Sequence, residues 1–518
     1  MHLTIGLHRA VQQKPNAIAT VFGERRRTFA ELGERVSRLA SALQTLGLDA
    51  GGRVAMLALN SDRYLEYYLA VLWAGGVVNP VNIRWSPAEI AYSLDDCDTA
   101  ILLVDDAFAP MVPELRSRST ALRAVVHAGE GATPDGMLSY ETLLADAAPV
   151  PDAMRSGEDL AGILYTGGTT GVPKGVMLSH RNLFSNALDM LAEGVIAEDG
   201  VGLHAAPMFH VADVTLMLAL LLRGGRHVFL PAFDPAAALS VIEKERVTDT
   251  LLVPTMIQML VDHPAMKTHD ASSLRLVQYG ASPISEAVLN RAFDALPGAA
   301  FMQLYGMTEM SPVIAVLPPA CHTPEGRQSG KLRAAGRSTF FAEIRVVDAD
   351  GVEVPRGTPG EVVARGAGVM QGYWNKPAET AAAIRDGWMH TGDGGYLDED
   401  GFLFIVDRLK DMIVTGGENV YSVEVENAIA KHPAVAMCAV IGIPDEKWGE
   451  TVHAAIVLKP GVDVTGDDIK SHCKTLIAGY KCPRSVEFRD GLPLSGAGKL
   501  LKYVLRDAYW KGAGRSVG

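Results

Sequence analysis

Apolar and polar positions keep two rhythms over the first two-thirds of the chain. Short apolar runs bounded by turn residues, at 53–59, 100–104, 160–165, 227–230, 250–253 and 274–279, predict buried strands. Helically spaced segments lie between them, the clearest from Thr28 to Gly47. There Phe29, Leu32, Val36, Leu39, Leu43 and Leu46 recur at helical spacing and share one face. Thr28 with Glu31 makes a capping box at the start, and Gly47 supplies the stop. This alternation predicts parallel sheets with helices packed on their faces. Near Ala342 the texture changes. Residues 343–347 and 360–364, with the turn Asp348-Ala349-Asp350-Gly351 between them, predict a small antiparallel unit. From about Asp411 short strands and helices mix again.

Length and composition narrow the class. At 518 residues the chain is too long for one ordinary core, so at least two domains are expected. Hydrophobic residues make up 48% and charged ones 21%, an ordinary globular balance. The formal charge of −13 is spread without long blocks, which argues against nucleic acid or an anionic membrane as partner. Arg25-Arg26-Arg27 reads as a solvated hairpin edge. Cys97, Cys321, Cys438, Cys473 and Cys482 form no C-x-x-C pair and are odd in number, as expected of reduced thiols in a cytoplasmic protein. No signal peptide is evident at the start. The longest apolar stretch, 214–222, is far too short to span a bilayer.

The most informative stretch is Tyr165-Thr166-Gly167-Gly168-Thr169-Thr170-Gly171-Val172-Pro173-Lys174-Gly175, between a strand pattern and a helical one. Glycines let the backbone approach a ligand closely, threonine hydroxyls donate to phosphate oxygens, and Lys174 adds a cation. It is no Walker loop, because Gly-Lys-Ser/Thr is missing at the required spacing. It closely resembles the signature loop of the adenylate-forming superfamily: acyl-CoA synthetases, peptide-synthetase adenylation domains and beetle luciferases. Gly168 stands where many members have serine, a variant shared by bacterial fatty acyl-CoA synthetases.

Further motifs follow in that family's order, so the resemblance runs nearly end to end. Gly280-Ala281-Ser282-Pro283 is similar to the loop bordering the adenine and the acyl pocket. Tyr305-Gly306-Met307-Thr308-Glu309 resembles the adenine and magnesium motif. The match implies that Tyr305 packs on adenine, Thr308 bonds the α-phosphate, and Glu309 with Thr166 holds Mg²⁺, a cation that prefers oxygen ligands. Thr391-Gly392-Asp393 matches the motif whose aspartate binds the ribose. Asp407-Arg408-Leu409-Lys410 resembles the hinge, with Arg408 a second ribose contact and Lys410 the pivot. Pro493-Leu494-Ser495-Gly496-Ala497-Gly498-Lys499 is similar to the catalytic-lysine motif, with Ala497 altered from the usual residue. Gly416-Gly417 resembles the loop lining the thiol tunnel, and Trp448 sits where some relatives stack the CoA adenine.

The resemblance implies an α/β fold: a large N-terminal AMP-binding domain, 1–409, of helix-flanked sheets plus a distorted antiparallel unit, and a small mobile α+β domain, 410–518. It implies a two-step acid–CoA ligase using ATP, Mg²⁺ and coenzyme A, with Lys499, Thr166, Glu309 and His210 in catalytic roles. Phe209-His210 matches the aromatic motif at the acyl pocket's edge, where amino-acid-activating relatives carry aspartate; Asp213 lies three residues later. Leu304, apolar and of middling bulk, occupies a position where wide-pocket relatives carry glycine. Tyr279 either intrudes into the pocket with Gly280 or finishes its strand. A medium- to long-chain fatty or related aliphatic acid is expected, with a hydroxycinnamate-type aryl acid the close alternative. An enzyme loading a carrier protein, a luciferase-like oxygenase and a catalytically dead acyl-nucleotide sensor are the rivals. The oligomeric state, a homodimer included, is left open.

Overall fold

The helix expected from Thr28 forms as Phe29–Thr45, with the capping box between Thr28 and Glu31 in place and Gly47 at φ +96° just beyond its end. Its apolar stripe is buried, Phe29, Leu32, Val36 and Leu39 all being inaccessible to solvent. The computed structural model describes the chain except residues 167–172, 195, 283, 409–410, 416–417, 446, 496–499 and 511–518, and Arg408 by its backbone alone.

Two large sheets dominate the N-terminal domain. In the nine-stranded sheet, the strands Ala300–Gly306, Leu276–Gly280, Asp249–Leu252, Val201–His204, Arg226–Phe229 and Ile18–Phe22 run parallel as neighbours. Antiparallel strands close both its edges. The eight-stranded sheet is parallel from Leu160–Thr166 out to Leu138–Ser139, then turns antiparallel at Lys174–Ser179 and Gly372–Tyr373. The predicted antiparallel unit is the pair Ala342–Val347 and Gly360–Gly366, within a five-stranded sheet that also holds Trp388–Leu397 and Leu403–Arg408.

The smaller C-terminal domain wraps helices Ser422–Ala430, Gly466–Lys474 and Lys502–Trp510 around another five-stranded sheet. Its core gathers Ile413, Val425, Ile429, Val440, Val452, Ile456 and Ile469. No described helix is long and apolar enough to cross a membrane.

The arginine triplet corrects the expectation of a solvated edge. Arg25–Thr28 is a hairpin edge strand, but Arg25 pairs with the buried Asp62 at 2.6 Å, Arg26 with Glu245 at 2.7 Å, and Arg27 with Asp62 and Glu66 at 3.4 Å. A carboxylate at zero exposure is tolerated only when paired, and these arginines supply the partners.

Candidate active site

Parallel strands aim their carboxyl ends at one edge of a sheet, where ligands of such folds collect. The phosphate loop starts there. Leu160–Thr166 turns back as Lys174–Ser179, with Thr166 directly opposite Lys174 in register. Gly167, Gly168, Thr169, Thr170 and Gly171 lie outside the described residues, but the hairpin fixes both ends of their loop. Tyr165 is anchored beneath it, donating to Asp96 Oδ2 at 2.6 Å. Lys174 Nζ lies 4.8 Å from the ring centroid of Tyr373. The Tyr373 hydroxyl in turn donates to Glu309 Oε1 at 2.9 Å. Burial, then the nearby Glu309 carboxylate, push the Tyr373 phenol up, so it stays a protonated donor.

The adenine and magnesium motif sits at the end of Ala300–Gly306 and in the 3₁₀ turn Thr308–Met310. Gly280 ends the neighbouring strand beside Leu304, and a Cβ on it would meet the Leu304 carbonyl at 2.2 Å. Ala281 follows at φ +66°, turning the chain away so that Ser282 leads out of the strand. A Cβ on Gly306 would strike the Pro312 carbonyl at 1.8 Å, so only glycine lets the chain pass between Tyr305 and Met307. The Tyr305 hydroxyl donates to Asp393 Oδ2 at 2.8 Å. Asp393 and Arg408 are register partners on adjacent strands, so the two ribose candidates stand side by side.

On the acyl side, His210 precedes the helix Val211–Arg223, and its ring lies 4.3 Å from that of Phe209. Its Nε2 is buried without a hydrogen-bond partner. Burial, and secondarily Arg84, lower its pKa to about 4. Leu304 joins Met190, Leu216, Leu251, Leu276 and Met302 on one face of the nine-stranded sheet. Gln278 lies on that face two residues before Gly280, in register with Leu251 and Met302. Its side chain is 1% exposed, and its amide nitrogen has no partner. Tyr279 points the other way. It donates to or accepts from His322 Nε2 at 2.8 Å and packs in the opposite cluster with Phe301 and Leu289. It is the penultimate residue of its strand and does not share Leu304's face. Asp213 is buried, its Oδ2 against His204 Nδ1 at 2.8 Å and its Oδ1 without a hydrogen-bond partner.

In the C-terminal domain Lys410, Gly416, Gly417 and Lys499 lie outside the described residues. The flanks of Lys499 are described: Leu494 bridges Leu500, and the Leu501 N–H donates to the Pro493 carbonyl at 2.9 Å. The Ser495 carbonyl accepts from Arg84 of the N-terminal domain at 3.0 Å. The segment leading into Lys499 is thus tied to the domain that carries His210. Trp448 occupies the turn between Val435–Asp445 and Gly449–Leu458, its indole flanked by Arg484 at 4.7 Å and Lys447 at 4.8 Å. Sequence reasoning missed Arg84, Gln278 and Tyr373, since none belongs to a motif with chemistry of its own.

A family model described as AMP-binding enzyme matches residues 7–374, and one described as AMP-binding enzyme C-terminal domain matches 424–499. The chain belongs to the AMP-binding enzyme family. It is an acid–thiol ligase of the acyl-CoA synthetase type. A feruloyl-CoA synthase of an Amycolatopsis species is 42% identical, covering 96% of this chain and 97% of that one. A medium/long-chain-fatty-acid–CoA ligase of Mycobacterium tuberculosis is 36% identical, covering 100% and 91%. Among solved structures, ATP-bound MatB from Rhodopseudomonas palustris superposes with a TM-score of 0.88 at 32% identity, covering 98% of this chain and 99% of that one. Its AMP-binding family membership also frames the metal question. Among the described residues no group of three or more His, Cys, Asp or Glu side chains is gathered to hold an ion alone. Mg²⁺ is usually held by one or two carboxylates together with substrate phosphates. The buried Glu309 carboxylate and the Thr166 hydroxyl fit such a site.

Proposed function

We propose that this enzyme converts a hydroxycinnamate-type aryl acid to its CoA thioester through an acyl-AMP. The observation that carries the aryl reading is the buried amide nitrogen of Gln278, unpartnered on the face that Leu304 shares. A buried donor left unmet costs about 1–3 kcal/mol. An oxygen-bearing ring gives it a partner, and an alkyl tail does not. The feruloyl-CoA synthase relative agrees in substrate class. The apolar set around Met302 and Leu216 favours an aliphatic acid as second reading.

A carboxylate is a poor electrophile, because its charge repels nucleophiles and oxide cannot leave. Attack of the carboxylate on the α-phosphorus of ATP makes the mixed anhydride and expels pyrophosphate. Thiol attack on that anhydride then expels AMP. Both steps build negative charge, so positioning and electrostatic stabilisation carry the catalysis. Tyr305 and Ser282 border the adenine, and Asp393 with Arg408 holds the ribose. Thr308 orients the α-phosphate, while Thr166, Lys174 and the loop between them retain the departing pyrophosphate. Lys499 bridges the carboxylate and α-phosphate. Mg²⁺, held by Glu309 and Thr166, would supply charge neutralisation on the phosphates. His210 stays neutral and closes the acyl pocket's edge with Phe209. For the thiol step the C-terminal domain, which we bound at 409/410, pivots at Lys410 and brings Gly416, Gly417 and the Trp448 turn to the same site.

The test is a pyrophosphate-release screen with ferulate, cinnamate and fatty acids of graded length, each with ATP, Mg²⁺ and CoA. Ferulate is expected to give the highest kcat/KM. A fatty acid exceeding every aryl acid tenfold would overturn the aryl reading and leave the ligase reading intact.

A further inference from the structure

Tyr373 stands outside every motif used above, yet it touches both halves of the phosphate site. It belongs to the two-residue strand Gly372–Tyr373, paired with Lys174–Ser179 so that Tyr373 lies opposite Val176, two residues beyond Lys174. Backbone bonds clamp the segment in place. The Gln371 N–H donates to the Met177 carbonyl at 3.0 Å, and the Trp374 N–H to the Gly175 carbonyl at 2.7 Å. The Tyr373 N–H itself donates to Thr380 Oγ1 at 2.9 Å. From the same segment, the Met370 N–H donates to the Glu309 carbonyl at 2.9 Å, fixing the backbone of the acidic turn. The ring is 7% exposed, with the Lys174 ammonium 4.8 Å from its centroid and the Glu309 carboxylate on its hydroxyl.

We propose that Tyr373 is a positioning residue for the nucleotide's divalent cation: its hydroxyl orients the Glu309 carboxylate, and its ring seats Lys174. This rests on the reading of Glu309 as a magnesium ligand. A carboxylate with free rotation about its last torsion presents either oxygen in many directions. A phenol donating to Oε1 fixes the plane and leaves Oε2 to a cation. The ring holds the ammonium at the same end of the site through its negative face. One side chain thereby aligns the acidic and the basic element that flank the departing pyrophosphate. Tyrosine is the residue that does both, because phenylalanine lacks the donor and aliphatic side chains lack the face.

The two functions separate by substitution. Tyr373→Phe keeps the ring and removes the hydroxyl; Tyr373→Leu removes both. The readout is Mn²⁺ binding to the complex of the full chain with a non-hydrolysable ATP analogue, followed by electron paramagnetic resonance. Analogue affinity without divalent ion is measured alongside by calorimetry. Tyr373→Phe is expected to weaken Mn²⁺ about tenfold, the lower end for removing a ligand's supporting bond. Metal-free analogue affinity stays within about twofold, as the ring keeps Lys174 seated. Tyr373→Leu is expected to weaken both. In turnover, Tyr373→Phe raises the Mg²⁺ concentration for half-maximal rate about tenfold and regains most of kcat at saturating Mg²⁺.

Glu309→Gln separates the inference from the reading beneath it. If Glu309→Gln leaves Mn²⁺ affinity unchanged, the ligand reading fails and this inference with it. If Glu309→Gln weakens Mn²⁺ and Tyr373→Phe does not, only the positioning role fails. If Tyr373→Phe weakens Mn²⁺ equally in the Glu309→Gln background, the hydroxyl acts by another route and the inference is overturned. A Tyr373→Phe chain that does not fold overturns it as well, because the hydroxyl would then belong to the fold.

Discussion

Gln278→Leu offers the sharpest test of the acyl pocket. Leucine is close to glutamine in size and apolar like its neighbours Leu251, Met302 and Leu304, so the cluster should accept it without a cavity. In the free enzyme the substitution removes a buried donor that has no partner. Such a donor costs about 1–3 kcal/mol, so the variant should gain stability, by about 1 kcal/mol after imperfect packing. In the complex the sign reverses for an oxygenated ring. On the proposed aryl reading the native amide pairs with a ring oxygen, whereas leucine leaves that oxygen buried and unmet. A penalty of about 1–3 kcal/mol corresponds to a loss of about 5- to 150-fold. Cinnamate, which lacks the ring oxygens, pays none of it. The ratio of kcat/KM for ferulate over cinnamate should therefore fall about tenfold in Gln278→Leu, read by pyrophosphate release at matched CoA. A ratio unchanged within twofold, in a variant at least as stable as the native chain, would refute the placement of Gln278 against the ring.

Three other outcomes are expected. Lys499→Ala should slow acyl-AMP formation by about 10²-fold while sparing thioester formation from preformed acyl-AMP, because the role proposed for it belongs to the first step alone; equal losses in both would be contrary. Arg84→Met removes the charged bond to the Ser495 carbonyl. It should slow acyl-AMP formation about tenfold or more and leave the second half-reaction within about threefold, as measured in separate half-reaction assays. His180, His210 and His322 each have a pKa lowered to about 4, chiefly by burial, from an ordinary value of 6.5. Between these values the unfolded chain binds more protons than the folded one. Stability should thus be full above pH 6.5 and fall as pH drops towards 4, and His322→Asn should flatten that slope in denaturant titrations.

Much of the fold was legible because helix and strand periods are local. The strand expected at 100–104 forms as Ile101–Val104, and that at 250–253 as Asp249–Leu252. The pairing that builds the site was not legible, since it depends on contacts far apart in sequence. The resemblance implied that Asp393 and Arg408 share the ribose, but nothing near Asp393 announces that the Tyr305 hydroxyl will reach its carboxylate. Tyr279 shows the limit of reading one strand end. Its neighbour Gly280 belongs to the loop expected to border the pocket, but strand alternation sends the tyrosine to the other face, towards His322. Arg25, Arg26 and Arg27 look solvated because their partners Asp62, Glu66 and Glu245 come from helices distant in the chain. Motif residues were recognisable by type and order; the side chains that bond to them, Tyr373 and Arg84, carry no such signature.

In the proposed route the acid's own oxygen attacks the α-phosphorus of ATP before any thioester forms. Ferulate labelled with ¹⁸O in both carboxylate oxygens, turned over with unlabelled ATP, Mg²⁺ and CoA, tests it in one mass spectrum. One labelled oxygen should appear in AMP for each feruloyl-CoA made, and none in pyrophosphate. Labelled oxygen lost to water or pyrophosphate, or found in orthophosphate with ADP as co-product, would contradict the acyl-adenylate route.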